Sequence, residues 1–155
     1  HLALALMPFG FLLIVCAITA ANPTVIGQRP DPDAAAPATG IIRVTRHPFM
    51  WGVGLWALVH LAANGDEASV IFFSTFVVLA LGGSLLIDAR RTRENAPGWG
   101  VFLQATSNLP FAAILQKRQR FVPREIGLWR VALALALYVL FLWLHPWLFG
   151  VSPLA

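Results

Sequence analysis

Four apolar stretches alternate with polar, proline-bearing segments along the chain. Residues 2–21 form a run without a single charged side chain. Residues 69–87 form another, and residues 128–149 a third, with Pro146 in its last turn. A helix that crosses a bilayer needs about 20 mostly apolar residues, and all three stretches meet that length. The stretch 48–63 is shorter. It reaches membrane length only where the turn through Arg43 and Arg46 is helical or where those arginines snorkel. The pattern predicts an all-α fold: a polytopic integral membrane helical bundle, with four transmembrane helices in one domain over residues 1–155. Residues 22–40 hold Pro23, Pro30, Pro32 and Pro37, a spacing that no helix continues, so they read as a loop. Residues 98–115 are apolar, with Trp99, Phe102 and Phe111, but Pro110 interrupts them. They read as an interfacial or re-entrant segment.

Composition agrees. Apolar residues make up 58% of the 155 and charged ones only 12%, about half the charge of an ordinary soluble domain. The same figures exclude a disordered chain. One cysteine, Cys16, excludes an internal disulfide framework and a multi-cysteine metal site. The net charge of +4 raises nucleic acid as a partner, but the placement of the basic residues argues for the lipid bilayer instead. Arg29, Arg43 and Arg46 precede the second stretch. Arg90, Arg91, Arg93, Lys117, Arg118, Arg120 and Arg124 lie between the third stretch and the fourth, and Arg130 lies two residues into the fourth, at the same side. Alternating spans put all eleven on one face, which the positive-inside rule assigns to the cytoplasm. His1, His60 and His145 then fall at the outer side and His47 at the cytoplasmic side. Because the chain opens at His1 rather than Met, a preceding portion is expected to be missing.

Two constellations can carry chemistry. In IIRVTRHPFMWG, Pro48 suits the first position of a helix, which puts His47 at the N-cap beside Arg43 and Arg46. Two guanidiniums and a helix N-terminus make an anion site; the plainer reading is membrane anchoring. With the later TSNLPF stretch, Arg43, Arg46 and His47 would act on a bound molecule while Trp51, Ser107, Asn108 and Pro110 wall the cavity. The second constellation is His60 and His145. A histidine near hydrocarbon is costly unless it pairs or binds something, and haem iron takes axial imidazole, so the two can hold a haem b. The alternative is two histidines in an aromatic belt beside Trp143 and Trp147. His47 and His60 cannot share an iron, being 13 residues, about 20 Å, apart along one helix. Asp88 reads as an interfacial ion pair with the nearby Arg90, Arg91 and Arg93. No phosphate loop, HExxH or Ser-His-Asp pattern is present.

GIIRVTRHPFMWGVGLWALVHLAANGD, TSNLPFAAI and EIGLWR…LWLHPWLFGVSP together resemble the NnrU family of bacterial membrane proteins, over essentially the whole chain. The resemblance implies a multi-pass protein of the bacterial inner membrane, associated with nitrite and nitric oxide metabolism. It also implies kinship with the plant 15-cis-zeta-carotene isomerases, haem b membrane enzymes, and hence an isomerase-like activity on a hydrophobic or small-molecule substrate. His47 and His145 are the histidines it would align first. RHPFMWG is also similar to the RHP-x-Y-x-G motif of isoprenylcysteine carboxyl methyltransferases, which implies S-adenosylmethionine near His47. Here Met50 stands in the tyrosine's place and the later paired glutamates reduce to a lone Glu94. A third implication is a non-enzymatic accessory role beside a membrane reductase.

Overall fold

A computed structural model describes residues 2–25, 27–31 and 37–154. His1 and Pro32 lie outside the described residues. The elements are α1 (Leu2–Thr19), a 3₁₀ turn (Gly40–Arg43), α2 (Pro48–Ala63), α3 (Glu67–Arg93), α4 (Trp99–Ala105), α5 (Ala112–Leu115), a second 3₁₀ turn (Pro123–Glu125) and α6 (Leu128–Phe149). Among the described residues there is no strand.

Among the described residues three helices, α1, α3 and α6, are long and apolar enough to cross a membrane. The expected fourth, α2, is apolar but has 16 residues, about 24 Å at 1.5 Å per residue against a hydrocarbon core of about 30 Å. The turn before it does not lengthen it. Pro48 occupies the first helical turn, His47 before it is non-helical (φ −118°, ψ 56°), and a proline disfavours helical backbone in its predecessor. Arg43 and Arg46 do not snorkel either; both are held by carboxylates within the protein.

The four long helices lie in the order α3, α2, α1, α6, each packed antiparallel on its neighbour. On α1 and α2, Gly10 and Gly52 face each other, so the backbones approach closely. Gly54 of α2 meets Ala80 and Leu81 of α3. Tyr138 of α6 donates its hydroxyl to the Leu4 carbonyl of α1 at 3.1 Å, and Phe11 packs on both Tyr138 and Phe141. The outward faces of α3 and α6 carry exposed Ile71, Val78, Leu85, Leu86, Leu128, Val139 and Trp143. Apolar surface of that extent is what a lipid-facing helix presents.

The best-buried core lies at one end of this row, where the connecting segments fold over the helix ends. Ile41, Ile42 and Val44 pack with Trp99, Phe102, Cys16 and Ile126. The interrupted segment 98–115 is thus two short helices and a turn that close this cap, with Trp99 and Phe102 as its apolar anchors. Arg43, Arg46, Arg90, Arg91, Arg118 and Arg130 all make hydrogen bonds at this end.

Candidate functional site

The cap forces the RHP stretch into one arrangement. Ile41, Ile42 and Val44 are buried in it, so the polar side chains between them must find partners nearby or desolvate unpaired. Arg43 turns to Glu125, Nε–Oε2 2.7 Å and Nη2–Oε1 2.9 Å, where the Gly40 amide also donates to Oε2 at 2.7 Å. Arg46 grips Asp88 of α3 as a fork, Nε within 2.9 Å and Nη2 at 2.7 Å of Oδ2. His47, 1% exposed, donates Nε2–H to the other oxygen of Asp88 at 2.8 Å. A carboxylate can only accept here, so in the neutral ring Nδ1 is left as the acceptor.

The turn 106–111 completes the cluster. Ser107 O accepts the Arg46 amide, Val44 O accepts the Phe111 amide, and Asn108 O accepts the Thr45 hydroxyl, at 3.0, 2.8 and 2.6 Å. Phe111 adopts φ 64° to make this pairing, a left-handed conformation uncommon for a bulky side chain. The Asn108 amide then receives Trp51 Nε1–H at 3.1 Å on its oxygen and donates to Ser84 Oγ at 3.0 Å. Ser84 lies one turn before Asp88, hence on the same face of α3.

Of the residues singled out by sequence, the structure brings Arg46, His47, Trp51 and Asn108 together around Asp88. Arg43 is apart, on the opposite flank of the cap. Ser107 shapes the turn, donating to Leu109 O and accepting from the Ala113 amide, and Pro110 makes no polar contact. The expected pairing of Asp88 with the arginines that follow it is overturned. Arg90 pairs with Glu94, one turn on, and Arg91 donates to Val25 O and Gln28 O, while Arg46 and His47 take the oxygens of Asp88. Asp88 is therefore the hub of the cluster.

The carboxyl of Glu125 is held below the ordinary glutamate range, chiefly by its hydrogen bond from Arg43, with the Gly40 amide helping against a smaller effect of burial. A depressed folded-state value stabilises above the unfolded value and is lost as pH falls through the folded one. Solvent reaches Glu125, so the contribution is about 1 kcal/mol. Thermal unfolding of Glu125→Gln in detergent should lie below wild type at pH 7. The difference should close below about pH 4. A gap that persists unchanged to acid pH would remove the ion pair as its cause.

At the other end of α2 stands the second constellation. The rings of His60 and His145 lie 6.4 Å apart, centre to centre, with planes 17° from parallel. His60 donates Nδ1–H to Trp56 O and His145 donates Nδ1–H to Val151 O, both at 2.8 Å. A carbonyl has no proton to give, so the hydrogen sits on Nδ1 in both rings and both Nε2 atoms are free to accept. His60 also packs on Phe73 and Trp56, and His145 on Phe149. His47 is not near this pair; the RHP histidine and the tail histidine do not meet. Among the described residues no group of three or more His, Cys, Asp or Glu side chains is arranged to hold a metal ion.

The family model described as "NnrU protein" matches residues 1–153. Two 15-cis-zeta-carotene isomerases of the chloroplast are similar. That of Zea mays is 35% identical over 87 residues, 56% of this chain and 24% of its own length. That of Arabidopsis thaliana is 33% identical over 81 residues, 52% of this chain and 22% of its own. The matches thus span about a quarter of those relatives. No solved structure matches the chain.

Proposed function

Because the chain belongs to the NnrU family, we propose that it is an isomerase-like membrane protein that holds haem b between His60 and His145 and acts on an apolar substrate. The observation that carries this reading is the imidazole pair. Two rings on different helices sit 6.4 Å apart, each fixed by a backbone carbonyl at Nδ1. A backbone bond at Nδ1 is the support that an imidazole needs to offer Nε2 to a metal in a set orientation. A porphyrin supplies four nitrogens itself, so two protein ligands suffice and no third metal-binding side chain is required. His60 and His145 would be the residues that hold it, and haem b would supply a one-electron iron centre there. Trp56 and Phe73 beside His60 offer flat apolar walls that keep water from the rings and suit an extended hydrophobic molecule. The kinship with zeta-carotene isomerases supplies the reaction class, rearrangement about a double bond.

The family's association with nitric oxide metabolism fits the same place, since nitric oxide is itself a ligand of haem iron. The methyltransferase-like alternative asks Arg46 and His47 to face a cofactor, and it finds less support because Asp88 takes the guanidinium of Arg46 and Nε2 of His47. We also read α2 as the fourth crossing, since it lies flush between α1 and α3, with the basic cap on the cytoplasmic side of a bacterial inner membrane.

The test is haem content, read from the visible spectrum of protein purified from cells supplied with haem precursor. His60→Ala and His145→Ala should each lose most of the bound haem, whereas His47→Ala should keep it. Retention of haem in both outer variants would overturn the assignment.

A further inference from the structure

Where the end of α1, the first turn of α2 and the last turns of α3 meet, a cavity of about 860 Å³ opens beneath the segment that follows α1. It is not used by the haem reading, which concerns the opposite end of α2. Its two sides differ in chemistry. Along α3, Ile87, Arg90, Arg91 and Glu94 line it. These positions are three, four and seven residues apart and so form one face, which passes from apolar to charged. Arg29 adds a further cation, so three guanidiniums face one carboxylate. Arg91 spends Nη2 on the carbonyls of Val25 and Gln28, which ties the segment over the cavity to α3, and a guanidinium has further donors to give. On the other side Ile18 and Phe49 line the cavity. They are 68% and 42% exposed on a helix row whose outer surface is apolar, so the cavity opens sideways toward lipid.

One polar group on the wall lacks a partner. Asn22 is 1% exposed and lines the cavity. Its Oδ1 accepts from the amide and hydroxyl of Thr24 at 3.0 and 2.8 Å, which fixes the amide's orientation. Its Nδ2 is, among the described residues, the one buried side-chain nitrogen or oxygen with no hydrogen bond. An unspent buried donor is costly, and an oxygen-rich ligand would satisfy it.

We propose that this cavity seats the phosphate of an anionic phospholipid from the surrounding bilayer. Its oxygens meet Arg29, Arg90, Arg91 and Asn22, and an acyl chain leaves past Ile18 and Phe49. Basic pockets between membrane helices recognise lipid headgroups in this way, and charge complementarity favours an anionic lipid over a zwitterionic one.

The test is native mass spectrometry of the full chain in detergent with added phosphatidylglycerol, phosphatidylcholine or inorganic phosphate. Wild type should retain one phosphatidylglycerol, at least about fivefold more than phosphatidylcholine. The double variant Arg90→Gln/Arg91→Gln should lose that preference by about fivefold or more, and Arg90→Gln alone, which keeps the bonds of Arg91 to Val25 and Gln28 and removes an exposed side chain, should lose part of it. Asn22→Leu should weaken retention as well. Arg120→Gln, an exposed arginine of the same cap outside the cavity, should bind as wild type does. Equal retention of the two lipids, unchanged retention in the arginine double variant, an equal loss in Arg120→Gln, or displacement of the lipid by millimolar inorganic phosphate would each overturn the proposal.

Discussion

Asp88→Asn should be the most destabilising conservative change at the polar cluster. The substitution keeps the shape and one acceptor oxygen but removes the carboxylate that, among the described residues, alone pairs with Arg46 and His47. His47 is buried, and the Arg46 side chain is 13% exposed, so little water replaces the lost charge. Breaking one partner out of a buried pair costs about 3 kcal/mol or more, because the remaining charge stays desolvated. The loss should lower the unfolding midpoint by roughly 10 °C. Cys16 supplies the readout. It is the single cysteine, and at 1% exposure it reacts with a thiol-sensitive dye only once the cap opens. Arg46→Gln/Asp88→Asn should lose less than Asp88→Asn alone, since removing both charges leaves none stranded. A midpoint for Asp88→Asn within about 1 °C of wild type would show that the cluster does not hold the cap.

That result bears on how the RHP stretch is understood. An open anion site made of two guanidiniums and a helix N-terminus would depend on Arg43 and Arg46 being free. Here both are neutralised, on separate flanks, by Glu125 and Asp88. The motif works first as a clasp that joins the start of α2, the end of α3 and the turn 106–111, and it leaves His47 as the clasp's one ring on the wall of the lipid-facing cavity.

The sequence makes the helices readable because lipid-facing faces need no alternation: uninterrupted apolar runs are the signal, and 2–21, 69–87 and 128–149 carry it. The start of α2 is readable from Pro48 alone, and its shortness from the arginines that precede it. His60 and His145 could be paired on paper because both fall late in their helices, at one end of the bundle. Their rings lie side by side although the residues are far apart in the chain. The partner of Asp88 could not be found that way. Three arginines follow it within five residues, while the one that grips it lies 42 residues earlier, and only the packing of α3 on α2 selects between them. The cap was equally hidden. Ile41, Ile42, Val44, Trp99 and Phe102 show no helical or strand period, and their burial is decided by contact with one another. Asn22 sits in a proline-rich loop where an asparagine draws no notice, and only an unsatisfied nitrogen beside a cavity marks it.

The second large effect is expected at Gly52, where α1 and α2 touch. A Cβ there would lie 2.6 Å from Ile14 Cγ1, 3.0 Å from Gly10 O and 3.3 Å from Ile14 N. Two of these atoms are backbone and the third belongs to a β-branched side chain held stiff in a helix, so the helices must move apart. Gly52→Ala should therefore cost about 2 kcal/mol despite alanine's better helix propensity. Gly82→Ala on α3, where nothing lies within 4 Å of the new carbon, should be neutral or stabilise by up to about 1 kcal/mol. The same chemical change thus carries opposite signs at two membrane glycines, and unfolding midpoints measured through Cys16 separate them. The consequence reaches the imidazole pair. His60 is on α2 and His145 on α6, and both helices pack against α1. Pushing α2 off α1 therefore shifts one ring against the other, and on the proposed haem assignment Gly52→Leu should bind less haem even though it touches neither histidine. If Gly52→Ala unfolds at the same temperature as Gly82→Ala, the close approach of α1 and α2 is not what sets the spacing of that pair.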